Sequence, residues 1–201
     1  MMTLFWSATS PFARKVMITA HELGIADRIT LQPTVTADEP EELLAVSPAG
    51  KLPVLLTEDG TAIADSRVIC AYLDAEFGQN RLLPAGSTDR WKALTDAARA
   101  DAATEAGILV RLERMRPEPL RSAQVEAKQL RKVMRSLDAF DAAHLRSEPF
   151  DVAGIALGAA LGWLLLRLPD DRLLNDRPRL ADWFAAISSR PSMQATLPPV
   201  G

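Results

Sequence analysis

Apolar residues follow two different periods along the chain, and the change from one to the other divides it. Thr3 to Trp6 reads as a strand, Pro11 to about Leu23 has helical spacing, and Ile29 to Pro33 reads as a second strand. Further on, "PVLLTEDGTAIA" is two apolar runs around Glu58-Asp59-Gly60. That is a hairpin signal, because Asp-Gly tolerates the positive φ of a tight connection. In "SRVICAYLDAEFG" the apolar positions Val68, Ile69, Tyr72, Leu73 and Phe77 return to helical spacing, with Gly78 as the stop. The order βαβ, then ββα, predicts a small mixed sheet carrying helices.

The polar, Pro- and Gly-containing stretch "GQNRLLPAGSTDR" interrupts the pattern, and no strand is predicted after it. Helical spacing runs from Asp89 to about Arg116, from Ser122 to Leu145, from Asp151 to Leu166 and from Arg179 to Arg190, the last closed by Pro191. The expected division is an α/β domain over 1–78, a linker over 79–87 and an all-helical bundle over 88–201.

Composition narrows the partners. At 201 residues, with 48% hydrophobic and 24% charged residues, the chain can bury a core. A formal net charge of -3 with no long Lys/Arg run argues against nucleic acid. One cysteine and two histidines exclude an internal disulfide and leave no recognisable metal-ligand cluster, and a reducing cytoplasm fits. The N-terminus lacks a basic region followed by a long apolar stretch. The segment "VAGIALGAALGWLLLRL" meets an arginine too soon to span a bilayer, so it reads as a buried core helix rather than a membrane segment.

Four features then fall in a fixed order: "TSPF" opening the first helix, "PAGKLPVL" before the hairpin, the hairpin, and "ADSRVI" opening the next helix. Each alone has an ordinary explanation. Ser10 before Pro11 is a helix cap, Asp65-Ser66 is another, and Pro53 marks a strand edge. A helix N-terminus that carries a hydroxyl is also a ready carboxylate site. Elsewhere, Cys70 lies on the apolar side of its helix as an inert thiol, and His21 sits near a helix end. Arg14 and Lys15 line the surface or a domain boundary, and Trp163 and Trp183 are core.

Taken together, the order and spacing of "SPFARKV", "HELGI", "SPAGKLPVLLTEDG", "IADSRVICAYLD", "FDVAGIALGAALGW" and "DRPRLADWFAAISSRPSMQAT" resemble the glutathione transferase family over essentially the whole chain. The closest likeness is to bacterial members with "TSPFxRK" at the first helix. The resemblance implies an N-terminal thioredoxin-like domain, a helical C-terminal domain and a homodimer. It makes Pro53 the cis-proline, with the Leu52 backbone pairing with the cysteinyl unit of glutathione and Lys51 neutralising the glycyl carboxylate. Ser66 would hold the γ-glutamyl carboxylate and Asp65 its ammonium group. Asp101 resembles an acid that in some relatives reaches glutathione in the neighbouring subunit. The sulfur would point at Thr9 and Ser10, of which Ser10 ranks first. A small hydrophobic electrophile would lie between the domains, against Trp6, Ser7, Ala8 and the helix from Asp101 to Arg111.

The implied activity is transfer to glutathione, with no metal and with glutathione as co-substrate. A free thiol is only about 3% ionised at pH 7, and making thiolate dominant needs about 2.7 kcal/mol. A hydrogen bond donated to an ionised partner is worth about 1.5–3 kcal/mol, so a hydroxyl can supply much of that without itself ionising. The absence of a cysteine at position 10 favours conjugation or peroxide reduction over mixed-disulfide chemistry. The alternatives are glutathione-dependent peroxidase or thiol-transfer activity, and a non-catalytic regulatory protein of the same fold. There is one departure from the pattern: Asp151-Val-Ala-Gly154 lacks the reciprocal acid of a capping box, which predicts a weaker start to the core helix.

Overall fold

The computed structural model describes residues 1–143 and 145–198, with the side chain of Ser87 outside that description. The chain forms two compact units. The first comprises residues 1–87 together with the described residues from Arg190 onward, and the second runs from Thr88 to Ser189.

In the first unit, β1 (Met2–Trp6) leads through α1 (Pro11–Leu23) to β2 (Ile29–Pro33), which pairs parallel with β1. A short α2 (Glu41–Val46) precedes β3 (Val54–Leu56) and β4 (Ala62–Ala64), and α3 (Ser66–Phe77) follows. The sheet order is β2-β1-β3-β4, with β3 antiparallel to both neighbours. This is the mixed βαβ-ββα sheet that the pattern predicts. The helix α2 is an addition to that reading. It is six residues long, follows Pro40 without a side-chain cap, and buries only Leu43, too little for a period to register. Leu43 matters all the same, since it packs with Phe5 and Val54, and Leu52 lies against the same cluster.

Helix α1 is stopped by Gly24, whose φ of 71° lets its N–H reach back to Ala20 and His21. The helix read as closed by Pro191 does end before it, at Ser188, but Pro191 also takes the first position of a further helix, α8 (Pro191–Ala195). This helix packs on α1, so the residues from Arg190 onward, assigned from sequence to the bundle, join the first unit instead. Their anchors are an ion pair from Arg190 to Glu22 at 2.9 Å and a hydrogen bond from the Ser192 hydroxyl to the same carboxylate. Burial pushes the Glu22 carboxyl up, but the bonds from Arg190 and Ser192 outweigh it and hold the group below its usual range.

The stretch 79–87 is likewise part of the first unit rather than a free linker. The fully buried Asp74 carboxylate accepts from the Leu82 N–H at 3.1 Å and the Leu83 N–H at 2.8 Å, and both leucines are buried. Gly78 leaves room for this joint, for a Cβ there would come within 2.3 Å of Asp74 Oδ1 and 2.8 Å of the Asp74 carbonyl.

The second unit holds all but the first residue of α4 (Ser87–Met115), with α5 (Ala123–Ala142), α6 (Val152–Arg167) and α7 (Pro178–Ser188). As its composition predicts, α6 is buried along most of its length, with Trp163 in the core. Gly107 lets α4 approach it closely, since a Cβ there would meet Leu164 Cδ2 at 2.3 Å. Trp183 is also core, its indole N–H donating to the Arg146 carbonyl at 3.0 Å. Arg114 at the end of α4 bridges Asp171 and Glu126, at 2.7 and 2.8 Å. No helix among the described residues is long and apolar enough to cross a membrane.

The start of α6 shows why the reciprocal cap is missing. Asp151 Oδ1 alone accepts from the N–H groups of both Ala153 and Gly154, at 3.0 Å each. A side chain at Gly154 would strike the buried Phe150 ring, at 2.8 Å from Cδ2. Gly154→Ala gains about 1 kcal/mol of helix propensity but forces that ring to move, at a cost of about 1–3 kcal/mol. The expected outcome is a lowered thermal midpoint, measured by circular dichroism.

Candidate functional site

The sheet register gathers the site. Phe5 of β1 faces Val54 of β3, and Val54 faces Ala64 of β4. Because β3 runs against both neighbours, β1 ends, β3 begins and β4 ends at one edge of the sheet, with strands about 5 Å apart. The three segments leaving that edge carry Ser7 to Ser10, Lys51 to Pro53, and Asp65-Ser66.

In the first segment, Ser10 caps α1 with its Oγ accepting from the Ala13 N–H at 3.2 Å. Because the oxygen accepts there, its own proton is free to be donated elsewhere. Thr9 is exposed, and its Oγ1 lies 3.1 Å from Ser7 Oγ. Ala8 is exposed and Ser7 half-buried. Trp6, at the end of β1, is half-buried with an indole nitrogen that finds no acceptor among the described residues.

In the second segment the Leu52–Pro53 peptide bond is cis. The Leu52 side chain is held by the Phe5, Leu43 and Val54 cluster, whereas its backbone N–H and carbonyl have no backbone partner among the described residues. An extended peptide could therefore pair with it as a further strand. Lys51 is exposed, and its carbonyl accepts from Ser47 Oγ at 3.2 Å.

The third segment contains a strained residue. Asp65 adopts φ 71° and ψ 127°, a conformation that costs a non-glycine residue about 1–3 kcal/mol and persists only where its surroundings over-determine it. From there its Oδ1 accepts from the Arg67 N–H at 2.8 Å and Arg67 Nε at 3.1 Å, and its Oδ2 from Nη2 at 2.9 Å. The Arg67 side chain holds the carboxyl below its usual range, against desolvation, with its backbone N–H and the charge of Lys15 adding to the effect. Ser66, the first residue of α3, is buried. Two helix N-termini thus lie beside an unpaired stretch of backbone, an arrangement suited to an extended peptide carrying an anion.

Other residues fall differently. Asp101 lies on α4 in the second unit and is buried rather than solvated. Arg111 is half-buried on the same helix. Cys70 is buried and accepts from Thr19 Oγ1 at 3.2 Å, as expected of an inert thiol. His21 is half-buried in the last turn of α1. Arg14 and Lys15 are not surface residues, since each is less than a tenth exposed. Arg67 is an addition to the residues expected at the site. Its signal was present as a base two residues after an acidic cap, where both side chains meet at the helix entrance.

A family model for the glutathione S-transferase N-terminal domain matches residues 9–76. The GST-like protein YibF of Escherichia coli K12 is 31% identical over 202 residues, covering 98% of this chain and 99% of its own. The crystal structure of a glutathione transferase family member from Pseudomonas fluorescens Pf-5 with bound glutathione is 40% identical, covers the whole of both chains and superposes with a TM-score of 0.94. A glutathione S-transferase from Methylobacillus flagellatus KT with glutathione bound is 35% identical, covers 99% of this chain and all of its own, and has a TM-score of 0.90. Identity sustained along the full length, together with the shared sheet and helix order, places this chain in the glutathione S-transferase family.

Proposed function

We propose that this protein binds glutathione at the common edge of β1, β3 and β4, ionises its thiol, and directs the thiolate at a small hydrophobic electrophile. The observation that carries the reading is the register of Phe5, Val54 and Ala64, which brings two helix N-termini and an unpaired backbone segment to one sheet edge. On this reading, Leu52 pairs with the cysteinyl unit and Lys51 meets the glycyl carboxylate. The α3 N-terminus with Ser66 receives the γ-glutamyl carboxylate, and Asp65 receives the ammonium group. The sulfur then lies by Ser10 and Thr9, where a donated hydroxyl proton stabilises its charge. The bound glutathione in the Pseudomonas fluorescens and Methylobacillus flagellatus proteins supports the assignment. Asp101 as a contact across a homodimer, and Trp6, Ser7 and Ala8 as neighbours of the electrophile, extend the same proposal.

Calorimetric titration with glutathione, run beside thiolate absorbance, tests it. Binding with a thiol pKa one to two units below the free value is the expected result. Absence of binding refutes the proposal, and binding without ionisation favours the non-catalytic alternative.

A further inference from the structure

Arg14 makes none of the proposed ligand contacts, yet it is among the most deeply placed charges of the first unit, at 6% exposure. Its Nη2 donates to the Met193 carbonyl at 3.2 Å and its Nε to Thr196 Oγ1 at 3.4 Å. Both acceptors are neutral, no carboxylate pairs with it among the described residues, and burial pushes its pKa down to about 10. Eight residues on, and so two turns along one face of α1, Glu22 takes Arg190 and Ser192. The Arg190–Thr196 segment therefore lies antiparallel along α1, fastened at both ends, with Arg14 as the fastening nearer the helix start. The Arg14 N–H also donates to the Ser10 carbonyl at 3.0 Å, joining it to the residue that caps the helix.

A buried cation is costly unless an opposite charge pairs with it. One helical turn away is the Thr9–Ser10 corner, where the proposed function places an anionic sulfur. We infer that Arg14 is a positioning residue for that thiolate: locked by Met193 and Thr196, it fixes the first turn of α1 and keeps an unneutralised positive charge one turn from Ser10. The inference rests on the proposed function, and it gives the 190–196 segment a role in the chemistry of the first unit.

The test titrates bound glutathione by thiolate absorbance in the full chain. Arg14→Gln is expected to raise the bound thiol pKa by about one unit, a tenfold loss of thiolate at low pH. Arg14→Lys, which keeps the charge, should stay within a few tenths of a unit of the parent. Glu22→Gln cuts the other fastening and lowers the thermal midpoint, but leaves the thiol pKa unchanged. Thr196→Val, a mild change that removes one anchor and keeps the fold, raises the pKa by a few tenths of a unit, so the inference stays testable should Arg14→Gln not fold. An unchanged pKa in Arg14→Gln or, failing that, in Thr196→Val, or an equal rise in Glu22→Gln, overturns the role of Arg14 alone. Failure of the parent protein to bind glutathione instead overturns the proposed function, and this inference falls with it.

Discussion

Ser10→Ala is expected to raise the pKa of bound glutathione by about one to two units and to lower the conjugation rate at neutral pH by about 10- to 100-fold. The magnitude follows from the loss of one hydrogen bond to an ionised partner, about 1.5–3 kcal/mol, at 1.36 kcal/mol per unit. The direction is fixed by which form is stabilised: a hydroxyl that donates to the thiolate depresses the thiol pKa, so its removal moves the rise of the pH–rate profile to higher pH. Ser10 also caps α1 through the Ala13 N–H, so the variant should lose about 1 kcal/mol of stability as well. A purely structural role would show that loss while leaving the pH profile in place. Thr9→Val separates the two hydroxyls: if the large shift appears there and not in Ser10→Ala, Thr9 is the donor. A conventional electrophile followed at saturating glutathione over a range of pH decides among these outcomes.

Asp74→Ala should be strongly destabilising although it lies outside the site. The carboxylate is fully buried and satisfies the N–H groups of Leu82 and Leu83. Its removal leaves two buried donors without acceptors, at about 1–3 kcal/mol each. A total near 3 kcal/mol corresponds to a fall in thermal midpoint of about 6–12 °C for a chain of this size. Asp74→Asn retains one acceptor oxygen and should lose about half as much. A midpoint unchanged in both variants, measured by scanning calorimetry, would show that the joint carries no strength.

Most of the fold was legible because its punctuation is local. Ser10-Pro11 and Gly24 bracket α1, Asp59-Gly60 turns the hairpin, and Asp65 opens α3, each through the conformational preference of one or two residues. What escaped depends on partners distant in sequence. Nothing near Arg14 or Lys15 announces that they are buried, since α8, which covers Arg14, lies more than 170 residues later. Pro191 carries the same local signal whether a helix ends before it or begins at it. For the candidate site, the motifs supplied the residues, but only the register of β1, β3 and β4 shows that three separate segments share an edge. The strain at Asp65 and its pairing with Arg67 needed coordinates, because a positive φ at aspartate leaves no mark on hydrophobic periodicity.

The division of the first unit between the two ends of the chain bears on the order in which the protein is made. A ribosome delivers the sheet and α1 long before it delivers Arg190, Ser192 and Thr196, so until then Glu22 and Arg14 face water without their fastenings. Completion of the first unit then waits for residues 190–196, which reach α1 only after the helices of the second unit have been made.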